Sequence, residues 1–134
     1  MDKDNESYRK HLEFAQSNIA RMASASFAYK SWMIAIVSAV YAAYAASGEV
    51  KLILVAIIPL ASFWLLDAFH LAVEKNFRTL YDDIRLGNSA EFKMTPEKVS
   101  IGQWISTAFS KTIIPLYLPL LVITVLAFCY LMPE

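Results

Sequence analysis

The chain has 134 residues, and its 12 Lys and Arg balance its 12 Asp and Glu, so the formal net charge is zero. That balance excludes the strongly basic class of nucleic-acid-binding proteins. Hydrophobic residues make up 57% of the chain, which exceeds the roughly 45–50% usual in soluble domains. The composition therefore predicts an integral membrane protein.

Three long stretches of the chain carry almost no charged residues. Each approaches the ~20 apolar residues that cross about 30 Å of hydrocarbon as an α-helix. We predict an all-α membrane protein with three transmembrane helices, over residues 28–46, 52–72 and 113–132.

A further helix is predicted ahead of the first span, over residues 5–30. Its apolar residues recur at intervals of three and four, as on one face of an α-helix. They are Tyr8, Leu12, Ala15, Ile19 and Met22. We expect an amphipathic helix that runs into the first span and that lies on lipid headgroups or packs on another helix.

Small residues dominate the first span. Ala35, Ala39 and Ala43 share one helical stripe, and Ser38 and Ala42 lie on an adjacent one. Small residues at this spacing let two helices approach closely inside a membrane. We interpret them as a packing surface, either against the second span of the same chain or against another copy of the chain.

The second span contains Pro59, which has no N–H group and predicts a kink. Beyond residue 72 the helix continues to residue 86 as a charged stalk. An apolar stripe persists along this continuation and needs a cover, which either the N-terminal helix or a partner protein can supply. The stripe comprises Phe69, Val73, Phe77, Leu80 and Ile84.

Asp67 and His70 lie where the second span meets its charged continuation, and Lys30 is expected at a similar depth on the first span. Asp67 falls roughly 22 Å along the helix from Leu52. An unpaired carboxylate at that depth is costly, so Lys30 and His70 are its candidate partners. We interpret Asp67 as an interfacial carboxylate that fixes the depth of the helix. The alternatives are the lining of a pore or proton path and contact with a ligand.

Thr95 and Pro96 are typical of a helix start, with Thr95 as the N-cap and Pro96 in the first turn. We predict an interfacial helix over residues 96–110 that leads into the third span. Pro115 and Pro119 are expected to bend or loosen the first turns of that span, with neighbouring helices accommodating them.

Lys and Arg are distributed unevenly about the three spans. Apart from Lys51, all of them lie in the N-terminal head or between the second and third spans. The positive-inside rule places both of these segments in the cytoplasm. We predict that the N-terminus is inside and the C-terminus outside.

The sequence shows no catalytic or cofactor motif. A hydrolase serine motif, a phosphate-binding loop, a Rossmann glycine pattern and a zinc signature are all missing. Cys129 and His70 have no neighbouring ligands that would complete a metal site. We therefore expect neither an enzyme nor a bound cofactor or metal.

Two segments, "RMASASFAYKSWMIAIVSA" and "FWLLDAFHLAVEKNFRTLYDDIR", carry a family resemblance. They resemble a family of small, uncharacterised bacterial membrane proteins, in which a helical head and a transmembrane hairpin lead into an Arg-x-Leu-Tyr-Asp stalk. The layout is also similar to that of two-span anti-phage defence effectors, which oligomerise and permeabilise the membrane, although this chain adds a third span. The resemblance implies a multi-pass protein of the bacterial inner membrane.

Two hypotheses about function follow. In the first, the chain is a homo-oligomer that changes membrane permeability when a partner signals. Its small-residue span, Asp67 and the prolines of the third span motivate this hypothesis. In the second, the chain is a non-conducting anchor whose cytoplasmic helices dock a partner protein. The few polar residues of the first span favour the second: Ser31, Ser38, Tyr41 and Tyr44.

Overall fold

The computed structural model describes residues 2–87 and 95–132, and all regular structure in these ranges is helical. The helices are α1 (Asp2–Ser47), α2 (Lys51–Val55), α3 (Ile57–Arg85), α4 (Ile101–Ala108) and α5 (Ile114–Leu131). Three stretches are long and apolar enough to cross a membrane, namely Asn5–Ser47, Lys51–Arg85 and Ile114–Leu131. The prediction of an all-α protein with three such helices is therefore confirmed.

α1 passes without interruption through both the predicted head and the first predicted span. Neither Pro nor Gly occurs between Asp2 and Ser47, so no residue here breaks the helical hydrogen-bond ladder. The helix ends where Gly48 adopts a φ of +69°, a conformation that other residues rarely take. The head and the first span therefore form one continuous helix.

The second span is divided into α2 and α3 at Ala56. Pro59 explains the break, because it has no N–H group to donate to the carbonyl of Val55, four residues earlier. Ala56 instead closes a tight turn and donates to the Ile53 carbonyl at 3.2 Å. The kink expected at Pro59 thus takes the form of a one-residue interruption, one turn before the proline.

α1 and α3 lie side by side and run in opposite directions. Tyr8 donates its hydroxyl hydrogen to the Arg85 carbonyl at 3.3 Å, and Ser26 bonds Asp67. From Asp67 to Arg85, α3 continues for about 27 Å at ~1.5 Å per residue. From here on, the stalk means this paired part of both helices, residues 2–26 of α1 and 67–85 of α3.

The apolar stripe of α3 is largely covered from within the chain. Phe77 and Ile84 are buried, and Val73 and Leu80 are half-buried, because α1 packs along α3. Phe69 is the most exposed member, and its ring lies 6.0 Å from that of Trp104 on α4, edge to face. Leu80 also lines a cavity with Pro96 and Glu97. Docking of a partner protein on this stripe stays a prediction.

α4 begins at Ile101, five residues later than the sequence predicted. Ser100 caps it, and the Ser100 hydroxyl accepts from the Gln103 N–H at 3.1 Å. Asn76 of α3 explains the delay, because its side-chain amide donates to the Glu97 carbonyl at 2.9 Å and holds that segment outside the helix. Thr95 and Pro96 therefore precede α4 and do not cap it.

α5 follows a tight turn after α4 and starts at Ile114. Pro115 occupies its first turn, where a missing N–H group costs nothing. Pro119 lies inside the helix, which nevertheless continues to Leu131. Neither proline interrupts α5 in the way that Pro59 interrupts the second span.

The packed core of the spans draws on all three of them. It is built from the following buried side chains: Met33, Val37, Ala56, Leu60, Ala68, Ala108, Ile113 and Tyr117. Large apolar residues elsewhere on the spans are exposed, among them Ile58 and Leu126. Such surfaces suit a helix that is solvated by lipid.

The small residues of α1 do not contribute to this core. All five predicted packing residues are exposed: Ala35, Ser38, Ala39, Ala42 and Ala43. The face of α1 that meets the rest of the chain carries Met33 and Val37 instead. Of the two interpretations drawn from the sequence, packing against the second span is therefore wrong, and the small-residue face lies open.

Candidate functional site

Asp67 is fully buried between α1 and α3 and is held by two side chains of α1. The Lys30 ammonium lies 2.8 Å from its Oδ2 atom, and the Ser26 hydroxyl donates to its Oδ1 atom. Lys30 also donates to the Ser26 hydroxyl oxygen at 2.7 Å. The three side chains form a closed network, which we call the Lys30–Asp67 cluster.

Local sequence explains how the cluster assembles. Ser26 and Lys30 are one helical turn apart on α1 and so share a face. On α3, Ala68 and Ala72 are fully buried beside Asp67. Small side chains allow close helix approach, and this brings the ammonium and the hydroxyl within reach of the carboxylate.

Of the two candidate partners that the sequence offered for Asp67, the structure pairs it with Lys30. Its side chain is 0% exposed, whereas that of Lys30 is 25% exposed. The long Lys30 side chain thus carries the charge of the pair toward the outside, as lysines near membrane interfaces do. Asp67 is an internal partner of α1, and its burial is tolerated because a cation and a hydroxyl compensate it.

The third span joins the cluster through Tyr117 of α5. Tyr117 is fully buried, and its ring stacks on that of Trp64, with the centroids 6.1 Å apart. Trp64 lies about one helical turn before Asp67 on α3, so the third span packs beside the cluster.

His70 does not pair with Asp67, although it lies one turn away. Its Nδ1 atom is 2.9 Å from the Leu66 carbonyl, and since a carbonyl only accepts, Nδ1 carries the proton. Its Nε2 atom is 3.2 Å from the Tyr29 hydroxyl. His70 thus ties α3 to α1 beside the Lys30–Asp67 cluster.

Sequence reasoning missed Ser26 and Tyr117. Ser26 carried a usable signal, because a hydroxyl one turn before Lys30 lies on the same helical face. Tyr117 carried none, because nothing in the sequence reveals which side of α5 faces the first two spans. Among the described residues, no group of three or more His, Cys, Asp and Glu side chains is arranged to hold a metal ion.

Three tryptophans mark the level of the cluster along the spans. The Trp64 indole donates to the Ala108 carbonyl, and the Trp104 indole donates to the Leu65 carbonyl, each at 2.9 Å. Trp32 lies half a turn beyond Lys30 on α1. Tryptophan is enriched where a bilayer meets water, and the location of Asp67 near one membrane interface stays a prediction.

Comparison with protein-family models, with curated proteins and with solved structures gives no match for this chain. A function for the chain therefore rests on its own residues. Chemically, the Lys30–Asp67 cluster offers neither a nucleophile aimed at a cavity nor an open ligand position. What it does offer is a charged link between the first two spans.

Proposed function

We propose that this chain is a multi-pass anchor of the bacterial inner membrane that does not conduct, and whose stalk holds a partner protein at the cytoplasmic face. One observation carries the non-conducting part of the proposal: several polar side chains of the spans are bonded inside the chain. Ser31 donates to the Phe27 carbonyl at 3.0 Å. Tyr41 and Thr124 share a hydrogen bond of 2.6 Å that links the first and third spans.

A water-filled pore needs polar side chains that face its lumen. In this chain the strongest polar groups, Lys30 and Asp67, neutralise each other between α1 and α3. Ser38 is exposed on α1, but its neighbours on that face are alanines. The outer surface of the spans therefore suits lipid or another apolar helix better than water.

The stalk supports the docking half of the proposal. It extends about 27 Å past Asp67 at ~1.5 Å per residue, and its two helices are held together by the bond between Tyr8 and Arg85. Since Phe77 and Ile84 are buried against α1, a partner would meet the outer face of the stalk. Phe14, which is 43% exposed among charged neighbours, is the anchor residue that we propose there, because exposed aromatics are enriched at protein interfaces.

A second candidate function, a homo-oligomer that changes membrane permeability, is favoured by a different observation. The small-residue face of α1 is exposed along its length, and such faces bring helices of separate chains together in lipid. The layout shared with defence effectors points the same way. Assembly of several copies is compatible with both candidate functions, whereas conduction belongs to the second alone.

Two experiments separate the candidates. The purified full chain, reconstituted in planar bilayers at rising protein-to-lipid ratio, should give no current; discrete channel events would overturn the anchor proposal. In cells, a photo-crosslinking amino acid at Phe14 should trap a distinct partner, whereas the same probe at Ile58, on the lipid-facing side of α3, should not. Equal products from both positions would count against docking on the stalk.

A further inference from the structure

An apolar cleft lies between α3 and α4. It is lined by Trp64 and Leu65 from α3 and by Ile101, Trp104 and Ile105 from α4. The exposed surface of the cleft is wholly apolar. Neither the Lys30–Asp67 cluster nor the stalk accounts for it.

The polar atoms of the two tryptophans are turned away from the cleft. The Trp64 N–H donates to Ala108 and the Trp104 N–H to Leu65, both within the protein. Tryptophans that face water or a polar partner usually present this donor outward. Here the two indoles present only carbon, which is the chemistry that hydrocarbon requires.

α4 adds a continuous apolar edge to the cleft. Ile101, Ile105 and Phe109 are spaced by four residues and so share one face. They are 74%, 54% and 63% exposed, respectively. Large apolar side chains at such exposure mark a surface that is covered by something other than water.

The position of the cleft identifies what covers it. α5 starts shortly after α4 ends, and it too exposes large apolar side chains, among them Leu118 and Val122. Lys98 precedes α4 by three residues and Lys111 follows it by three, and both side chains are exposed. An apolar cleft that opens onto the lipid face and has cations beside it matches a phospholipid, with its hydrocarbon chain and anionic phosphate.

We propose that the cleft between α3 and α4 binds a phospholipid of the surrounding bilayer. An acyl chain lies against Trp64 and Trp104, and the phosphate lies near Lys98 and Lys111. The bound lipid holds α4 at the membrane interface and so fixes the approach of the chain to its third span. The proposal stands whether the protein conducts or anchors, because it concerns neither the stalk nor the small-residue face of α1.

Spin labels test which substance covers α4. The exposed native Cys129 is first replaced in Cys129→Ser, and Ile105→Cys and Ser106→Cys are then labelled separately in the full chain. The vesicles contain phosphatidylcholine and phosphatidylglycerol. At position 105 collisions with oxygen should dominate, and at position 106, a third of a turn away, collisions with a water-soluble nickel complex should rise.

Three outcomes at position 105 would overturn the proposal. Preferred access of nickel would show that water covers the cleft. Spin–spin broadening that grows with protein-to-lipid ratio would show that a second copy covers it. A label that is reached by neither reagent would show that protein from elsewhere covers it.

Native mass spectrometry tests the headgroup contact. The chain released from micelles should retain a phosphatidylglycerol adduct, and Lys98→Gln combined with Lys111→Gln should lower the fraction that carries it. Lys51→Gln, at the opposite end of the spans, removes a matched charge and should leave that fraction unchanged. Equal retention in all these proteins would overturn the assignment of the phosphate to Lys98 and Lys111.

Discussion

Lys30 and Asp67 lie 2.8 Å apart between the first two spans, and the first prediction concerns their charges. Asp67→Asn leaves the Lys30 ammonium without its carboxylate, and Lys30→Met leaves a buried carboxylate without its cation. Removing one partner of a buried ion pair costs about 3–5 kcal/mol. We expect each single variant to lose stability on that scale, with Lys30→Met the more severe because Asp67 is the more deeply buried partner.

The double variant provides the control. With both charges removed, no uncompensated ion remains, and the double variant should be more stable than Lys30→Met alone. Unfolding by denaturant in micelles, followed by circular dichroism, measures the free energy of unfolding of the three variants and of the unaltered chain. Additive losses would show that the two charges do not interact, in contradiction to the geometry.

A matched pair of glycines provides the second prediction. Gly87 ends α3 with a φ of +70°, whereas Gly102 is helical and has no positive φ, and a Cβ at either would meet nothing within 4 Å. Any effect of alanine is therefore a backbone effect. Gly87→Ala should destabilise the chain by about 1 kcal/mol, since alanine disfavours positive φ. Gly102→Ala should stabilise it by roughly 0.5–1 kcal/mol, since alanine favours helix.

Thermal unfolding of the two variants beside the unaltered chain checks this prediction. Because the variants share one chemical change, the sign of each shift carries the information. Shifts of the same sign would contradict the backbone conformations described for the two glycines.

The helices were predictable because hydrophobic length and helix breakers are local properties of the sequence. Gly48 ends α1, and Pro59 causes the interruption at Ala56, one turn earlier. Both effects are local and can be predicted without knowledge of tertiary contacts. The start of α4 was not predictable, because Asn76, distant in sequence, binds Glu97 and displaces the cap to Ser100.

The side that each helix turns inward was harder to predict than its position. The small residues around Ala39 satisfied a packing pattern, yet Met33 and Val37 face the core. A pattern of small residues does not reveal what the helix packs against, because both lipid and another helix can contact a face of alanines. The same limit explains why Tyr117 was missed and why Lys30 and His70 remained equal candidates as partners of Asp67.

The third prediction concerns assembly through the small-residue face of α1. Ala39→Leu places a larger side chain on the exposed stripe and should weaken the contact between copies, because close backbone approach is lost. Ala61→Leu makes the same change at an exposed position of α3 and should have little effect. Energy transfer between labelled chains in vesicles, measured against lipid dilution, reports the assembled fraction.

Two results would contradict the assembly proposal. A chain that shows no energy transfer at any dilution is a monomer, and the small-residue face then contacts only lipid. Equal losses in Ala39→Leu and Ala61→Leu would show that the loss does not depend on the small-residue face of α1.

The last prediction is the orientation of the chain in its membrane. Lys and Arg gather on the stalk side of the Lys30–Asp67 cluster, whereas Lys51 lies at the far end of the spans. The positive-inside rule therefore places the stalk in the cytoplasm, and three spans place the C-terminus outside. A reporter that is active only in the periplasm should be active when fused after the C-terminus and inactive when fused after Gly87. A cytoplasmic reporter at the same two positions is the complementary control and should give the opposite pattern. Activity of the periplasmic reporter at Gly87 but not at the C-terminus would invert the orientation, and the stalk would then face a partner outside the cell membrane.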